Sequence, residues 1–337
     1  MSILRATAGA AAFAAAFAVA SPGTAQLSSF KERAPKTAQE PRVRPDPFPT
    51  GDRVISWMAR YRLEPSPKAL PDVVHAMSRL GLLKERETSG VFIGFMAGVL
   101  GDSGKEAKSL VANFFPLPQD EQIAVVHAIA YSGLSDWREL LTGFVERMPA
   151  QKIAIEKALY GKGNGLNDVP LDSGPAVLDM LWGYYLATGK HDPIIRLMAA
   201  LEWSGEQKSV ERLTAAGMAK WTLASNGSRD KELLNLYYSQ LGKQPKTVAG
   251  PLKEVIKAAE THDIGPIRKA ALQSVDEARV RKAGEVSPWV TASQAVPTVI
   301  GLACVTASAL GQAEIGIPCV VGGALSQAVA NLVKGQR

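Results

Sequence analysis

Residues 172–189 read Asp-Ser-Gly-Pro-Ala-Val-Leu-Asp-Met-Leu-Trp-Gly-Tyr-Tyr-Leu-Ala-Thr-Gly, and this stretch decides the fold. Its large apolar side chains recur with the spacing of one broad stripe on an α-helix. They are Val177, Leu178, Leu181, Trp182, Tyr185 and Leu186. Asp172 or Ser173 is suited to cap the start of this helix, and Gly189 is suited to end it. The stretch therefore predicts a buried helix.

Helical spacing continues from about residue 52 to about residue 283, without the sustained alternation that indicates a sheet. The chain is therefore predicted to be all-α. A unit of two helices joined by a glycine-containing hinge recurs along it. The hinges lie at 98–104, 131–136, 186–192 and 224–230. Because a single helix pair cannot bury its apolar face alone, such units are expected to stack as an α-solenoid.

One of these units resembles a known repeat. Residues 180–190, Met-Leu-Trp-Gly-Tyr-Tyr-Leu-Ala-Thr-Gly-Lys, continue through Ala200 and Leu201 and are similar to the helix–hinge–helix core of a tetratricopeptide repeat. The hinge glycine comes one residue late, and Pro193 stands where that family has a small residue. The resemblance implies a protein-interaction scaffold whose groove binds a peptide or a partner helix.

The N-terminal residues have the layout of an export signal. Arg5 precedes an uncharged run from Ala6 to Ala20, and small residues before Ser21 and before Gln26 offer two cleavage points. We favour cleavage after residue 25. The alternative, an uncleaved membrane anchor, would need a longer and more apolar segment than this Ala-rich run. The following stretch, 26–51, contains five prolines and is predicted to be an extended, solvated linker.

The charge balance does not favour a nucleic-acid partner. The chain has 38 Lys and Arg against 32 Asp and Glu, a net charge of +6, and both signs are interleaved. Nucleic-acid-binding proteins concentrate basic residues on one face, often with aromatic residues between them. The densest basic stretch, 243–285, also contains acidic residues and is typical of solvated helix faces.

No residue pattern indicates catalysis. The four histidines form no metal-binding spacing with other ligand residues, and the Gly-x-Ser-x-Gly nucleophile turn is absent. The glycine-rich tract 161–165 lacks the Ser or Thr that follows Gly-Lys in a phosphate-binding loop. We therefore expect no enzyme activity, no catalytic residue, no metal and no cofactor. An envelope enzyme on an α-superhelical scaffold is an alternative.

Tyr184 is the candidate partner-binding residue. Aromatic residues cluster between 182 and 238, and most follow the apolar stripes expected in the core. Tyr184 instead falls with Met180 and Thr188 on a second face of its helix. An aromatic side chain there is suited to contact a partner in a groove.

The C-terminal part of the chain is almost free of charge. Residues 287–313 and 315–333 contain no charged residue, and only Glu314 separates them. Cys304 and Cys319 bracket a predicted turn, so an exported chain is expected to join them in a disulfide. The segment is predicted to be a Gly/Ala-rich helical hairpin packed on the solenoid or on a partner. The alternative is membrane contact or insertion through residues 287–333.

Together these patterns predict four segments and one function. The segments are a signal peptide (1–25), a proline-rich linker (26–51), a helical-repeat domain (52–286) and an uncharged hairpin (287–337). The predicted function is binding or scaffolding in the bacterial envelope, with a protein or peptide partner. The expected location is the periplasm, alone or in association with the inner membrane. The main alternative is a membrane-tethered or membrane-active protein that acts through the hairpin.

Overall fold

The computed structural model describes residues 46–84, 89–144, 147–148, 152–160, 165–206, 208–263, 265–267, 269–270 and 273. These residues form twelve α-helices joined by turns and short 3-10 segments, and they contain no strand. The helices are α1 (Gly51–Tyr61), α2 (Leu70–Arg79), α3 (Gly90–Ser103), α4 (Ala107–Ala112), α5 (Gln122–Tyr131), α6 (Trp137–Thr142), α7 (Lys152–Tyr160), α8 (Pro175–Thr188), α9 (Asp192–Ala199), α10 (Val210–Gly227), α11 (Lys231–Gln240) and α12 (Lys246–Thr261). The predicted all-α fold class is confirmed.

Each of the four predicted hinges contains residues of a helix connection, α3–α4, α5–α6, α8–α9 or α10–α11, but its first residues still belong to the preceding helix. Gly104, Gly133 and Gly189 have positive φ angles of 52°, 75° and 67°, which a glycine adopts without a steric penalty. Gly189 ends α8 as predicted, and its N–H donates to the Tyr185 carbonyl at 2.8 Å.

The predicted N-cap of α8 is wrong. Gly174 is the N-cap, and Asp172 and Ser173 lie before it in a 3-10 turn. Glycine has no side chain that could accept from the first-turn N–H groups, so α8 begins without a side-chain cap. The proline at the first helical position favours the helical φ angle and lacks one of the N–H groups that have no partner in the first turn. Asp172 instead accepts a hydrogen bond from Arg212 at 3.0 Å.

Two apolar helices form the centre of the described helical core. All residues of α3 from Gly90 to Leu100 are buried, and most of α8 is buried as well. A helix that is apolar on every side must be surrounded by other elements. Helices α1 and α5 pack on this pair, and α9 and α10 pack on α8.

Glycines allow α3 and α8 to approach closely. A Cβ atom on Gly94 would overlap the backbone carbonyl of Met180, and one on Gly183 would overlap that of Val91. A Cβ atom on Gly98 would lie only 2.6 Å from the Cβ of Ala187. The two backbones are therefore in direct contact, which brings Cα–H groups of one helix near carbonyls of the other.

The contact between α3 and α8 is the most extensive between two helices of the described chain, although these helices are far apart in sequence. A strict solenoid places its contacts between neighbouring repeats. Successive helices do pack as pairs in α5–α6, α8–α9 and α11–α12. The repeat stack therefore stays a prediction, and the central α3–α8 pair is a feature that the hinge pattern did not indicate.

The last residues of the predicted linker belong to the helical core. Phe48 is 7% exposed and packs edge-on against the Trp57 ring, with 5.8 Å between the centroids. Its carbonyl accepts a hydrogen bond from Arg79 at 2.8 Å, and Thr50 caps α1. Burial of the Phe48 ring removes apolar surface from water and stabilises this contact, so packing begins before residue 52.

Two predicted segments lie outside the described residues. They are the signal peptide at 1–25 and the C-terminal hairpin at 287–337, which includes the predicted Cys304–Cys319 disulfide.

Candidate functional site

Tyr184 lies on α8 where several helices end. Its side chain is half-buried against the core, and its hydroxyl lies 3.6 Å and 3.9 Å from the positions that Cβ atoms on Gly101 and Gly133 would occupy. Those glycines belong to the last turn of α3 and to the hinge after α5. The Tyr184 hydroxyl therefore lies close to the backbone of both glycines. Burial raises the pKa of Tyr184, and Lys190 opposes that rise.

An ion pair borders the Tyr184 hydroxyl. Lys190, in the connection from α8 to α9, donates to the Asp102 carboxylate of α3 at 2.8 Å. This hydrogen bond is the main cause of the raised pKa of Lys190. Both side chains are about half exposed, so the pair contributes little to the free energy of unfolding and its partners can exchange.

A second, less exposed charge cluster is centred on Arg62, the C-cap residue of α1. Its guanidinium donates to Asp230 at 2.5 Å and to Glu232 at 2.6 Å, and its Cζ lies 5.3 Å from the centroid of the Tyr185 ring. Asp230 also caps α11 through the backbone N–H groups of Glu232 and Leu233. Arg62 therefore connects the end of α1 to the start of α11 across the end of α8.

His191 extends this cluster to the surface. Its Nε2 lies 3.5 Å from Oε1 of Glu232, and both side chains are about half exposed. The hydrogen bond from Arg62 is the main cause of the lowered pKa of Glu232. Beneath it, burial raises the pKa of Tyr185, whose hydroxyl has no hydrogen-bond partner among the described residues.

The electrostatics of this region follow from the helix ends. Helices α1, α3, α5 and α8 all end here, and each C-terminus carries a partial negative charge. Arg62 and Lys190 supply positive charge at these ends, while α11 begins here with Asp230 at its N-terminus. We use the name α8-end surface for the side chains at this junction. They are Arg62, Leu63, Asp102, Tyr184, Lys190, His191 and Glu232.

The α8-end surface is suited to recognition. It offers hydrogen-bond donors, acceptors and two charge signs around a half-buried phenol, and the adjacent Leu63 is 70% exposed. No cluster of three or more metal-ligating side chains occurs within the described part of the chain. His75, which shares a helix face with Asp72, hydrogen-bonds to the Asn113 carbonyl at 2.9 Å.

The sequence predicted Tyr184 as a partner-binding residue, but it did not indicate which side chains lie around it. Arg62 and Asp230 are 168 positions apart, and Asp102 and Lys190 are 88 apart, so no local spacing indicates that they meet. The sequence does carry a signal for the helix contact beneath this surface. Gly90, Gly94 and Gly98 are four residues apart, and this spacing predicts close packing of another helix on α3.

No protein-family model, curated protein or solved structure matches this chain. Among the described helices, none is both long and apolar enough to cross a membrane. The resemblance to tetratricopeptide repeats stays a prediction from residues 180–201, and Tyr184 stays a predicted partner-binding residue.

Proposed function

We propose that the chain is an exported binding or scaffolding protein of the bacterial envelope, with a protein or peptide partner and no catalytic activity. The export signal pattern at residues 1–25 supports the location. The pairs of successive helices support a helical-repeat scaffold related to tetratricopeptide repeats. The partner is held at the α8-end surface.

The observation that carries the proposal is the setting of Tyr184. A half-buried tyrosine is already restricted in its rotation, so its side chain loses little further conformational entropy when a partner covers it. The exchangeable Lys190–Asp102 pair beside it offers a donor and an acceptor to a peptide backbone or side chain. The contacts of Arg62 with Asp230 and with the Tyr185 ring hold one side of this surface in place, which favours preorganised binding.

Site-specific photo-cross-linking in the native host tests the partner site. A photoreactive phenylalanine is introduced at Tyr184 or at Lys190, and the control carries it at Lys253, an exposed residue of α12. We expect one discrete adduct from positions 184 and 190 and none from position 253. Equal labelling from all three positions, or no adduct from 184 and 190, would contradict the proposed site.

Affinity for the cross-linked partner then tests the role of the phenol. We expect Tyr184→Ala to weaken binding by about tenfold to a hundredfold, the usual effect of truncating an aromatic residue at the centre of an interface. Tyr184→Phe keeps the ring and removes the hydroxyl, so it measures the contribution of the hydroxyl alone. Lys253→Ala is the matched control. Unchanged binding by Tyr184→Ala would place the partner elsewhere.

A further inference from the structure

The outward face of α7 exposes two large apolar side chains. Ile153 and Tyr160 are each 83% exposed, and they are seven residues apart, which places them on the same side of the helix. Glu156 and Lys157 lie between them and are exposed as well. The opposite side of α7 carries Ile155, which is 2% exposed, and packs on α5 and α6.

This outward face is complementary to itself. If a second α7 lies antiparallel, with a two-fold axis between Glu156 and Lys157, Ile153 is level with Tyr160 of the second copy, and Tyr160 with its Ile153. The same operation places Glu156 level with Lys157 of the second copy, and Lys157 with its Glu156. Both apolar positions then meet apolar positions, and both charges meet opposite charges.

We propose that a second copy of this chain docks on α7 and forms a two-fold symmetric dimer. An isologous contact of this kind requires a surface that matches itself under rotation, and the order Ile-x-x-Glu-Lys-x-x-Tyr at 153–160 has that property. An unlike partner would have no need for this palindromic order of apolar and charged residues. The proposal is independent of the α8-end surface.

The charges on α7 are available for such a contact. Within the helix, Glu156 Oε1 lies 3.9 Å from Nζ of Lys152, and both side chains are more than half exposed. An exposed pair at this distance contributes little, so Glu156 can exchange Lys152 for Lys157 of the second copy. Opposite charges across the two-fold axis also select the antiparallel orientation and disfavour the parallel one.

The size of the face sets the strength of the dimer. Helix α7 has nine residues and is therefore only about 13 Å long. A single helix of this length covers less than the roughly 800 Å² per partner of a standard stable interface. We therefore expect a weak, concentration-dependent dimer with a Kd on the order of 10 μM or weaker.

Sedimentation equilibrium of the full mature chain over a range of concentrations tests the proposal. Lys157→Glu places a carboxylate opposite Glu156 of the other copy, at both symmetry-related positions. We expect the Kd of the dimer to rise at least about tenfold. Adding Glu156→Lys to this variant restores opposite charges with the order reversed, and we expect Kd to return to within about threefold of the wild-type value.

The controls separate a local effect from a general one. Lys253→Glu makes the same charge change at an exposed position of α12 and should leave the dimer unchanged. Ile153→Ser with Tyr160→Ser should abolish dimerisation while circular dichroism shows the same helix content, because both side chains are exposed and lie outside the core. A chain that is monomeric at every concentration, or a dimer that Lys157→Glu does not weaken, would overturn the proposal.

Discussion

Asp179 places a carboxyl group inside the contact between the two central helices. The residue is 1% exposed, its Cβ lies next to Gly90 of α3, and its Oδ1 has no hydrogen-bond partner among the described residues. Burial raises the pKa of Asp179 well above its ordinary value, because the charged form is poorly solvated there. The folded chain therefore binds a proton at pH values where the unfolded chain has released it.

The raised pKa makes the stability of the fold depend on pH. The contribution of Asp179 is fully present below the ordinary Asp pKa, and it is lost as the pH rises through the raised pKa of the folded state. We expect Asp179→Asn, which carries no charge at any pH, to be more stable than the wild type near pH 8. Each unit of pKa difference corresponds to about 1.4 kcal/mol in the free energy of unfolding. The difference between the two proteins should shrink toward pH 5.

Thermal unfolding across this pH range measures the effect. Asp72→Asn is the matched control, since Asp72 is an exposed carboxylate on α2. Part of the pH dependence should remain in Asp179→Asn, because Glu121 is also fully buried and burial raises its pKa. Parallel stability curves for Asp179→Asn and the wild type would show that Asp179 does not titrate in the folded state as inferred.

At the residue scale, the sequence shows which single positions depart from a pattern, but it does not show which distant side chains they contact. The second face of α8 singled out Tyr184, because that position departs from the apolar stripe. The Arg62 cluster could not be predicted, because its members come from α1, α8 and α11 and meet only after the helices pack. Long-range polar contacts depend on helix orientation, and hydrophobic periodicity does not specify that orientation.

At the scale of helices, the glycines of the α3–α8 contact are the most sensitive positions. An alanine at Gly94 or Gly183 would place its Cβ inside the backbone of the other helix, and backbone atoms cannot move away as a flexible side chain can. The two helices would have to separate and would lose packing along their length. We expect Gly94→Ala or Gly183→Ala to lower the free energy of unfolding by about 1–3 kcal/mol or more.

Gly242→Ala is the control for this prediction. Gly242 lies in the turn after α11, its φ angle is not positive, and a Cβ atom there has no neighbouring heavy atom within 4 Å. Since alanine has fewer accessible conformations than glycine in the unfolded chain, we expect this variant to be more stable than the wild type by about 0.4–1 kcal/mol. Denaturant unfolding of the three variants should therefore give changes of opposite sign. A neutral Gly94→Ala would mean that α3 and α8 are farther apart.

The same glycines show what the helix pattern predicts and what it misses. The hinge interpretation of residues 98–104 is right for Gly104, which ends α3 with a positive φ angle. It is wrong for Gly98 and Gly101, which lie inside α3 and provide space for α8 and for the Ser132 carbonyl. A glycine at a hinge and a glycine at a close helix contact look alike in the sequence, and the regular spacing of Gly90, Gly94 and Gly98 is the signal that indicates a close contact.

For the whole molecule, the segment 287–337 decides between the proposed function and the membrane alternative. The apolar core of the described helices extends from Phe48 to Ile267 and forms one continuous cluster. We therefore expect a chain that ends at residue 286 to retain the Tm and the helix content of the full-length protein. Calorimetry and circular dichroism of the two purified chains measure this. A drop of several degrees in Tm would show that the segment packs on the helical core.

Fractionation of the same two chains in the native host tests the role of the segment. Under the proposed function, both chains are released with the soluble periplasmic proteins, and both fail to be exported when residues 1–25 are removed. Thiol labelling before and after reduction should then find Cys304 and Cys319 blocked in the full-length protein, as a disulfide requires. If only the full-length chain is recovered in carbonate-resistant membranes, with free thiols, that result would favour insertion of the two uncharged runs, 287–313 and 315–333. Each run is about as long as the roughly 20 residues that a membrane-spanning helix needs.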